Sequence, residues 1–140
     1  MGIKDIKVRP ITDDDMVEIS EWFVKRKWSK PPSGGMLPET GYVAEENGKM
    51  LSVGWLYVTN SSVGIIDWVA TAPDVGILGL ISIKPLLRYI EEVTKGAEHQ
   101  GVNNFLYFTS NEKLAKYIKK KCGFKIAESG MHLCVRNRRG

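Results

Sequence analysis

The stretch IIDWVATAPDVGILGLI, residues 65–81, decides the fold that the sequence predicts. Its first half belongs to an apolar run, Val63–Ala70, which predicts a strand buried on both faces near the centre of a sheet. Residues 71–80 contain glycines and a proline and predict a loop. Ser82 is then the expected N-cap of a helix that carries Pro85 in its first turn. A strand, a loop and a helix in this order are typical of an α/β layered domain.

The segments on either side alternate between strand-like and helical spacing. Upstream, the pattern predicts a strand at Ile3–Ile11, a helix from Thr12 or Asp13 to about Lys27, and a hairpin of Tyr42–Glu45 and Met50–Val58 around Asn47-Gly48. Downstream, it predicts a helix ending at Gly101, a strand at Phe105–Thr109, a helix at Glu112–Lys121, and a last strand or hairpin at 125–127 and 131–135. We therefore expect one α/β domain over residues 1–140, with a central mixed, mostly antiparallel sheet of six to seven strands and helices on both faces.

Composition and charge exclude several classes of protein. The chain is 43% hydrophobic and 26% charged, as in soluble globular proteins. Its longest apolar stretch, Val75–Ile83, is far shorter than a membrane span of about 20 residues, and the opening MGIKDIKVRP is too polar for a signal peptide. We therefore expect a cytoplasmic protein without a membrane partner. The net charge of +4 is mild. Basic clusters attract polyanions, but no nucleic-acid recognition motif is present, which makes nucleic-acid binding the weakest hypothesis.

The cysteines and histidines predict neither a metal nor a redox site. Cys122 and Cys134 lack the spacing of a zinc ligand pair or a redox motif, so we interpret them as partly buried apolar residues. His99 and His132 are separated in the sequence, and surface placement is the simpler interpretation.

Three passages resemble the GNAT acyltransferase superfamily. Val69-Ala-Thr-Ala-Pro-Asp74 occupies the place where this family ends its fourth strand and begins its pyrophosphate loop. Gly76-Ile-Leu-Gly79 stands where the family carries Arg/Gln-x-x-Gly-x-Gly/Ala before a long helix. The third passage, Asn111-Glu-Lys-Leu-Ala115 through Cys122-Gly123-Phe124, is similar to the family's Asn-x-x-Ala-x-x-x-Tyr-x-x-x-Gly-Phe. The run from Gly54 to Ser61, with Trp68, also resembles GNAT-like proteins of phages and prophages.

The resemblance implies a single GNAT-like domain that transfers an acyl group from acetyl-CoA to an amine by direct attack. The acceptor would be a small molecule or a peptide, and proteins of this family commonly form homodimers. A strand-to-loop-to-helix junction offers unpaired amides and a positive helix end to the CoA diphosphate, and pantetheine can pair with the exposed edge of the fourth strand. The cofactor-binding residues implied are Trp68, Val69, Ala70, Thr71, Gly76, Gly79, Leu80 and Asn111.

Two departures from the family pattern concern the residues that carry charge and protons. Gly76 stands at the position of the loop Arg or Gln, and Ile81 at that of the last small residue. Lys84, Arg88 or the cluster 119–121 could supply the missing charge. The position of the family's Tyr is Lys119, whereas Tyr117 lies two residues earlier, about 200° around a helix.

Asp67 and Tyr117 are the candidate catalytic pair. A lone carboxylate in an apolar strand is a candidate general base, because burial would raise its pKa. Asp67 could equally be an edge carboxylate or one bonded to a neighbouring backbone. Tyr117 as the general acid competes with a packing role, and Asn111 could hold pantetheine or only cap a helix. Tyr57, Tyr107 and Ser110 are the other residues that topology brings near enough to act as the acid.

The four tryptophans divide into core and site candidates. Trp22 and Trp55 lie in periodic segments and are expected in the core, whereas Trp28 follows the first helix in a Pro/Gly-rich loop, where the family often builds its acceptor site. Two hypotheses follow from these residues: an N-acyltransferase, or a GNAT-like domain without catalysis that serves as a binding or virion-associated protein.

Overall fold

A computed structural model of the chain describes residues 5–28, 37–95, 102–107 and 112–125. The elements in chain order are β1 (Lys7–Pro10), α1 (Asp15–Lys25), β2 (Gly41–Glu46), β3 (Lys49–Val58), β4 (Val63–Thr71), α2 (Ile77–Val93), β5 (Asn104–Tyr107) and α3 (Glu112–Lys121). The chain divides into two compact units, Met1–Tyr107 and Phe108–Gly140. The first unit holds the whole described sheet with α1 and α2, and the second holds α3.

The sheet follows the chain, in the order β1-β2-β3-β4-β5. The first three pairings are antiparallel, and β4 and β5 are parallel, so the sheet is mixed as expected. Among the described residues it has five strands and not six to seven. The predicted last strand or hairpin, at 125–127 and 131–135, lies almost wholly outside the described residues.

The β2–β3 hairpin is confirmed where it was predicted. Asn47 has φ 51° and Gly48 has φ 79°, so both central residues of the turn adopt the left-handed region. A two-residue turn of this kind twists in the same sense as the strands that it joins, and Asn-Gly is its preferred sequence.

The two helices of the first unit cover opposite faces of the sheet, as predicted. On one face, Ile19, Trp22 and Phe23 of α1 form the main core cluster with residues such as Val53 and Trp55 of β3. Trp22 and Trp55 are therefore core residues, as expected. The next side chains along β3 face the other way, because neighbouring residues of a strand alternate. There Ser52 bonds Ser82 of α2, and Tyr42 of β2 packs against Tyr89.

The first turn of α1 differs from the prediction. Neither Thr12 nor Asp13 caps the helix: the N-cap residue is Asp14, whose side chain makes no capping bond. Asp15 satisfies the local backbone instead, since its carboxylate accepts the Thr12 N–H at 2.8 Å. The same carboxylate forms a bidentate pair with Arg9 of β1, which lowers the Asp15 pKa to about 2.

The bounds of α2 also correct the prediction. The helix begins at Ile77 and ends at Val93, so Ser82 is not its N-cap, Pro85 lies in its interior, and it stops before Gly101. The early start has a physical reason: Gly76 adopts φ 57°, which turns the chain directly into the helix. No helix among the described residues is long and apolar enough to cross a membrane.

Candidate functional site

An irregularity in β4 shapes the candidate site. Val53 of β3 lies opposite Ala70, whereas Trp55 lies opposite Asp67, so two residues of β4 face the single Gly54. This is a β-bulge, which bends a strand and changes the direction of its side chains. Asp67 shares the α1 face with its partner Trp55, and Trp68 also packs against the α1 core cluster. The bulge therefore presents two consecutive side chains on one face of the sheet.

Trp68 occupies a backbone conformation that is rare for a bulky residue, with φ 58°. Three contacts hold it there. Its indole N–H donates to the Tyr57 hydroxyl at 3.1 Å, its ring lies 6.3 Å from that of Phe23, and its backbone N–H donates to Asp67 Oδ1 at 2.7 Å. Asp67 thus bonds a neighbouring backbone amide, as one of its alternative interpretations proposed. That bond uses Oδ1, so Oδ2 is the carboxylate oxygen that it does not engage.

The far half of β4 presents an edge that the described part of β5 leaves open. β5 pairs with β4 only from Val63 to Ile66. On the other side, the Ala72 N–H donates to the Leu51 carbonyl at 2.9 Å. Because hydrogen-bonded and non-bonded pairs alternate in an antiparallel ladder, the backbone groups of Thr71, one residue earlier, point away from β3. The Thr71 carbonyl therefore lies on the open edge of β4.

The start of α2 packs tightly against the end of this strand. A Cβ built on Gly79 would lie 3.0 Å from Thr71 Cβ and 3.0 Å from Val75 Cγ2, so any larger residue would push these neighbours away. Gly76, at the N-cap position, provides no side-chain cap for the helix. The first amides of α2 are thus presented without a side-chain acceptor at the end of β4, which is the arrangement that favours an anion.

The loop between β4 and α2 is tied to the neighbouring hairpin. Lys49, the first residue of β3, donates to Asp74 at 3.0 Å, and this bond lowers the Asp74 pKa. Both side chains are exposed, so the pair orients the loop more than it stabilises the fold.

Arg26 joins the site from the end of α1, and no sequence pattern predicted this. Its guanidinium donates to the Thr71 carbonyl through Nη1 and to Thr71 Oγ1 through Nη2, the latter at 3.2 Å. It also lies over the ring of Trp28, 4.9 Å from the centroid. Trp28 is 46% exposed and packs edge-on against Phe23. The only sequence signal was the basic run at residues 25–27, which by itself indicates a solvated helix face.

Most of the predicted site residues lie together in the first unit. Six occupy the bulge, the open edge and the N-cap of α2: Asp67, Trp68, Val69, Ala70, Thr71 and Gly76. Gly79 and Leu80 lie in the first turn of that helix. Tyr117 belongs to α3 in the second unit. Its pKa is raised, mainly by burial and to a smaller extent by the nearby Cys122. Asn111 lies outside the described residues.

Solved structures share this arrangement of elements. An acetyltransferase from Trypanosoma brucei is 19% identical, with a TM-score of 0.63 over 94% of this chain and 100% of that one. A diaminobutyrate acetyltransferase from Paenibacillus lautus, in complex with its substrate and coenzyme A, is 16% identical, with a TM-score of 0.59 over 81% of this chain and 70% of that one. The chain therefore has a GNAT-like α/β fold.

The same fold also occurs in a protein described as a transcriptional regulator from Bacillus halodurans, which is 16% identical, with a TM-score of 0.63 over 93% of this chain and 99% of that one. No protein-family model and no curated protein matches the sequence. One fold can carry many activities, so the function depends on the residues of the site.

Proposed function

We propose that this chain is a single GNAT-like N-acyltransferase domain that transfers an acetyl group from acetyl-CoA to the amine of a small molecule or peptide. The observation that carries the proposal is the continuous path formed by the bulge at Asp67-Trp68, the open edge that ends at Thr71, and the uncapped start of α2. Coenzyme A accompanies the diaminobutyrate acetyltransferase of the same fold.

Each part of this path suits one part of the cosubstrate. Pantetheine contains two amides, and it can pair with the outward N–H of Thr71 as an added strand would, beside the Thr71 carbonyl that accepts Arg26. The diphosphate suits the amides at Ile77 and Leu78, because the positive end of the helix dipole lies there. Gly76 has open space around the position of its absent side chain, so a ligand can approach the backbone closely. The thioester would then lie near the bulge.

The chemistry requires a base and an acid. The acceptor nitrogen attacks the thioester carbonyl carbon, the C–N bond forms and the C–S bond breaks. Asp67 Oδ2 takes the proton from the amine, directly or through one water, while Oδ1 keeps its bond to the Trp68 N–H. The leaving thiolate takes up a proton to become the free thiol, and Tyr117 stays the candidate that the sequence offers for its donor. The exposed ring of Trp28, on the same face as Asp67, is proposed to contact the acceptor.

Calorimetry with CoA and acetyl-CoA tests the proposal directly. We expect binding of both, followed by thiol release when a panel of amines is added to acetyl-CoA. Failure to bind either ligand at millimolar concentration would refute the proposal. Binding without thiol release across the panel would favour the alternative, a GNAT-like binding or virion-associated protein. The resemblance to phage proteins, the homodimer and the cytoplasmic location stay predictions of the sequence.

Asp67→Asn separates the role of the base from that of the scaffold. Asparagine keeps an oxygen that can accept the Trp68 N–H, so the bulge should persist, but it cannot take a proton. We expect turnover to fall by about 100-fold or more, with CoA affinity unchanged within about twofold. Asp13→Asn, which removes an exposed carboxylate ahead of α1, is the control and should leave both values unchanged. Unaltered turnover in Asp67→Asn would remove Asp67 as the base.

A further inference from the structure

The GNAT pattern has an arginine or glutamine at one position of the loop at the candidate diphosphate site, and this chain has no charged side chain at that position. Gly76 stands at that position, and it carries no side chain. The basic residues of α2 begin about two turns further on: Lys84 lies seven residues beyond Ile77, and Arg88 lies eleven. At about 1.5 Å per residue, their backbones are roughly 10 Å and 16 Å along the axis from the start of the helix. Lys49 also reaches the loop before α2, but its ammonium is paired with Asp74, whereas Arg26 bonds the neutral Thr71 at the end of β4.

Arg26 reaches across the open edge of β4 from the opposite face of the sheet. It belongs to the turn after α1, yet its guanidinium bonds Thr71 Oγ1, and the Thr71 side chain is the one that Gly79 approaches. One residue therefore separates Arg26 from the first turn of α2. The guanidinium thus lies at the Thr71 end of the open edge, and Thr71 is the residue that the first turn of α2 approaches.

The charge of Arg26 has no carboxylate to balance it among the described residues. The ion pairs found there join other side chains, and both acceptors of Arg26 belong to the neutral Thr71. Burial lowers the Arg26 pKa, without an opposing contribution from a nearby acid. The ring of Trp28 covers one face of the guanidinium. Two of its five N–H donors serve Thr71, which leaves donors for another acceptor in the same plane.

We propose that Arg26 replaces the missing loop arginine and binds the diphosphate of the CoA-type ligand, together with the first amides of α2. This inference rests on the proposed function, because it assigns a residue to the cosubstrate of that reaction. Thr71 and Trp28 act as positioning residues: the first fixes the guanidinium plane, and the second holds it against the edge of the sheet. The planar fork of arginine suits a phosphate better than an ammonium does.

Arg26→Gln tests the assignment with ligands of different length. We expect CoA affinity to fall by about tenfold to 100-fold, which corresponds to one charge-assisted hydrogen bond. The affinity for dephospho-CoA should fall by as much, since this ligand keeps the diphosphate. Pantetheine, which has no diphosphate, should bind as it does to the unaltered protein. Arg26→Lys should have a CoA affinity between those of the unaltered protein and Arg26→Gln, because lysine keeps the charge but lacks the planar fork of donors. Lys27→Gln is the matched control: it removes an equal charge from an exposed side chain one residue later and should weaken CoA by less than about threefold.

Each other outcome contradicts a definite part of the reasoning. An equal loss for pantetheine and CoA would show that Arg26 only supports the edge of β4, and CoA affinity that does not change would show that it binds no phosphate. A loss seen with CoA but not with dephospho-CoA would move the contact to the 3′-phosphate. Each of these three results overturns the assignment while the proposed function stands.

Inorganic pyrophosphate distinguishes a failure of the inference from a failure of the proposed function. If CoA does not bind but pyrophosphate binds to the unaltered protein and not to Arg26→Gln, the anion site stands and the acyltransferase proposal fails. If neither ligand binds, both fail. Thermal unfolding of each variant in the absence of ligand is the accompanying measurement. Arg26→Lys replaces Arg26→Gln in the comparison if the latter unfolds at the assay temperature.

Discussion

A buried pair of serines connects the centre of the sheet to the first turn of α2, and it predicts two unequal mutational costs. Ser52 of β3 and Ser82 of α2 are both fully buried, and their Oγ atoms are 2.6 Å apart. Ser82 also donates to the Gly79 carbonyl at 2.6 Å. A carbonyl only accepts, so the Ser82 proton is committed to Gly79 and Ser52 must donate to Ser82. The hydrogen bonds therefore run in one direction, from the strand to the helix.

This direction sets the magnitude of each substitution. Ser82→Ala leaves the buried Ser52 hydroxyl without an acceptor, which costs about 1–3 kcal/mol of unfolding free energy. Ser52→Ala leaves Ser82 bonded to Gly79 and removes one hydrogen bond, for about 0.5–1.5 kcal/mol. The double variant leaves no orphaned hydroxyl, so its cost should be smaller than the sum by about 0.5 kcal/mol or more.

Urea unfolding followed by tryptophan fluorescence provides the assay, because all four tryptophans lie in the unit that contains both serines. Ser20→Ala, on the partly exposed side of α1, is the control for the change in helix propensity and should leave the midpoint unchanged or slightly raised. Two results would refute the reasoning: a cost for Ser52→Ala equal to or above that for Ser82→Ala, or costs that simply add in the double variant.

Two further predictions concern the first turns of α2 and α1. Gly79→Ala should gain about 1 kcal/mol of helix propensity. It should lose more than that, because the new Cβ would lie 3.0 Å from carbons that include Thr71 Cβ. We expect a net loss of about 1–2 kcal/mol in urea unfolding and weaker CoA binding, and a stabilised variant would contradict this packing. The Asp15 pKa lies near 2 in the folded chain against 3.8 for the free group, so its contribution to stability is complete above about pH 4 and is lost as the pH falls through 2. Asp15→Asn should therefore flatten the acid limb of a stability–pH curve, and an unchanged limb would show that the pair with Arg9 contributes nothing.

The sequence predicted those features of the fold that local chemistry determines. Asn47-Gly48 defines its turn because these two residue types accept a positive φ at the least cost. Gly123 likewise follows α3 with φ 78°, the left-handed conformation that glycine accepts readily where a helix ends. The start of α2 was misjudged for a related reason. A glycine that enters a helix and a glycine that breaks one look alike in sequence, and Gly76 is the former.

The contacts that complete the candidate site depend on the tertiary structure. Arg26 and Thr71 are 45 residues apart, and no spacing rule connects a residue after a helix to the last residue of a distant strand. The same holds for the bulge, since the apolar run in β4 predicts a regular strand. Asp67 could be chosen from its residue type alone, but its bond to the Trp68 N–H follows from a backbone conformation that the sequence pattern does not favour.

The bulge connects the stability of the sheet to the direction of the candidate base. A regular β4 would place Asp67 and Trp68 on opposite faces, because side chains alternate along a strand. The positive φ of Trp68 costs of order 1–3 kcal/mol, and it persists only because its surroundings hold it. Tyr57, Phe23 and Asp67 itself supply those contacts. The carboxylate that would take the proton thus helps to maintain the distortion that directs it toward the α1 face, so the same side chain serves the fold and the proposed chemistry.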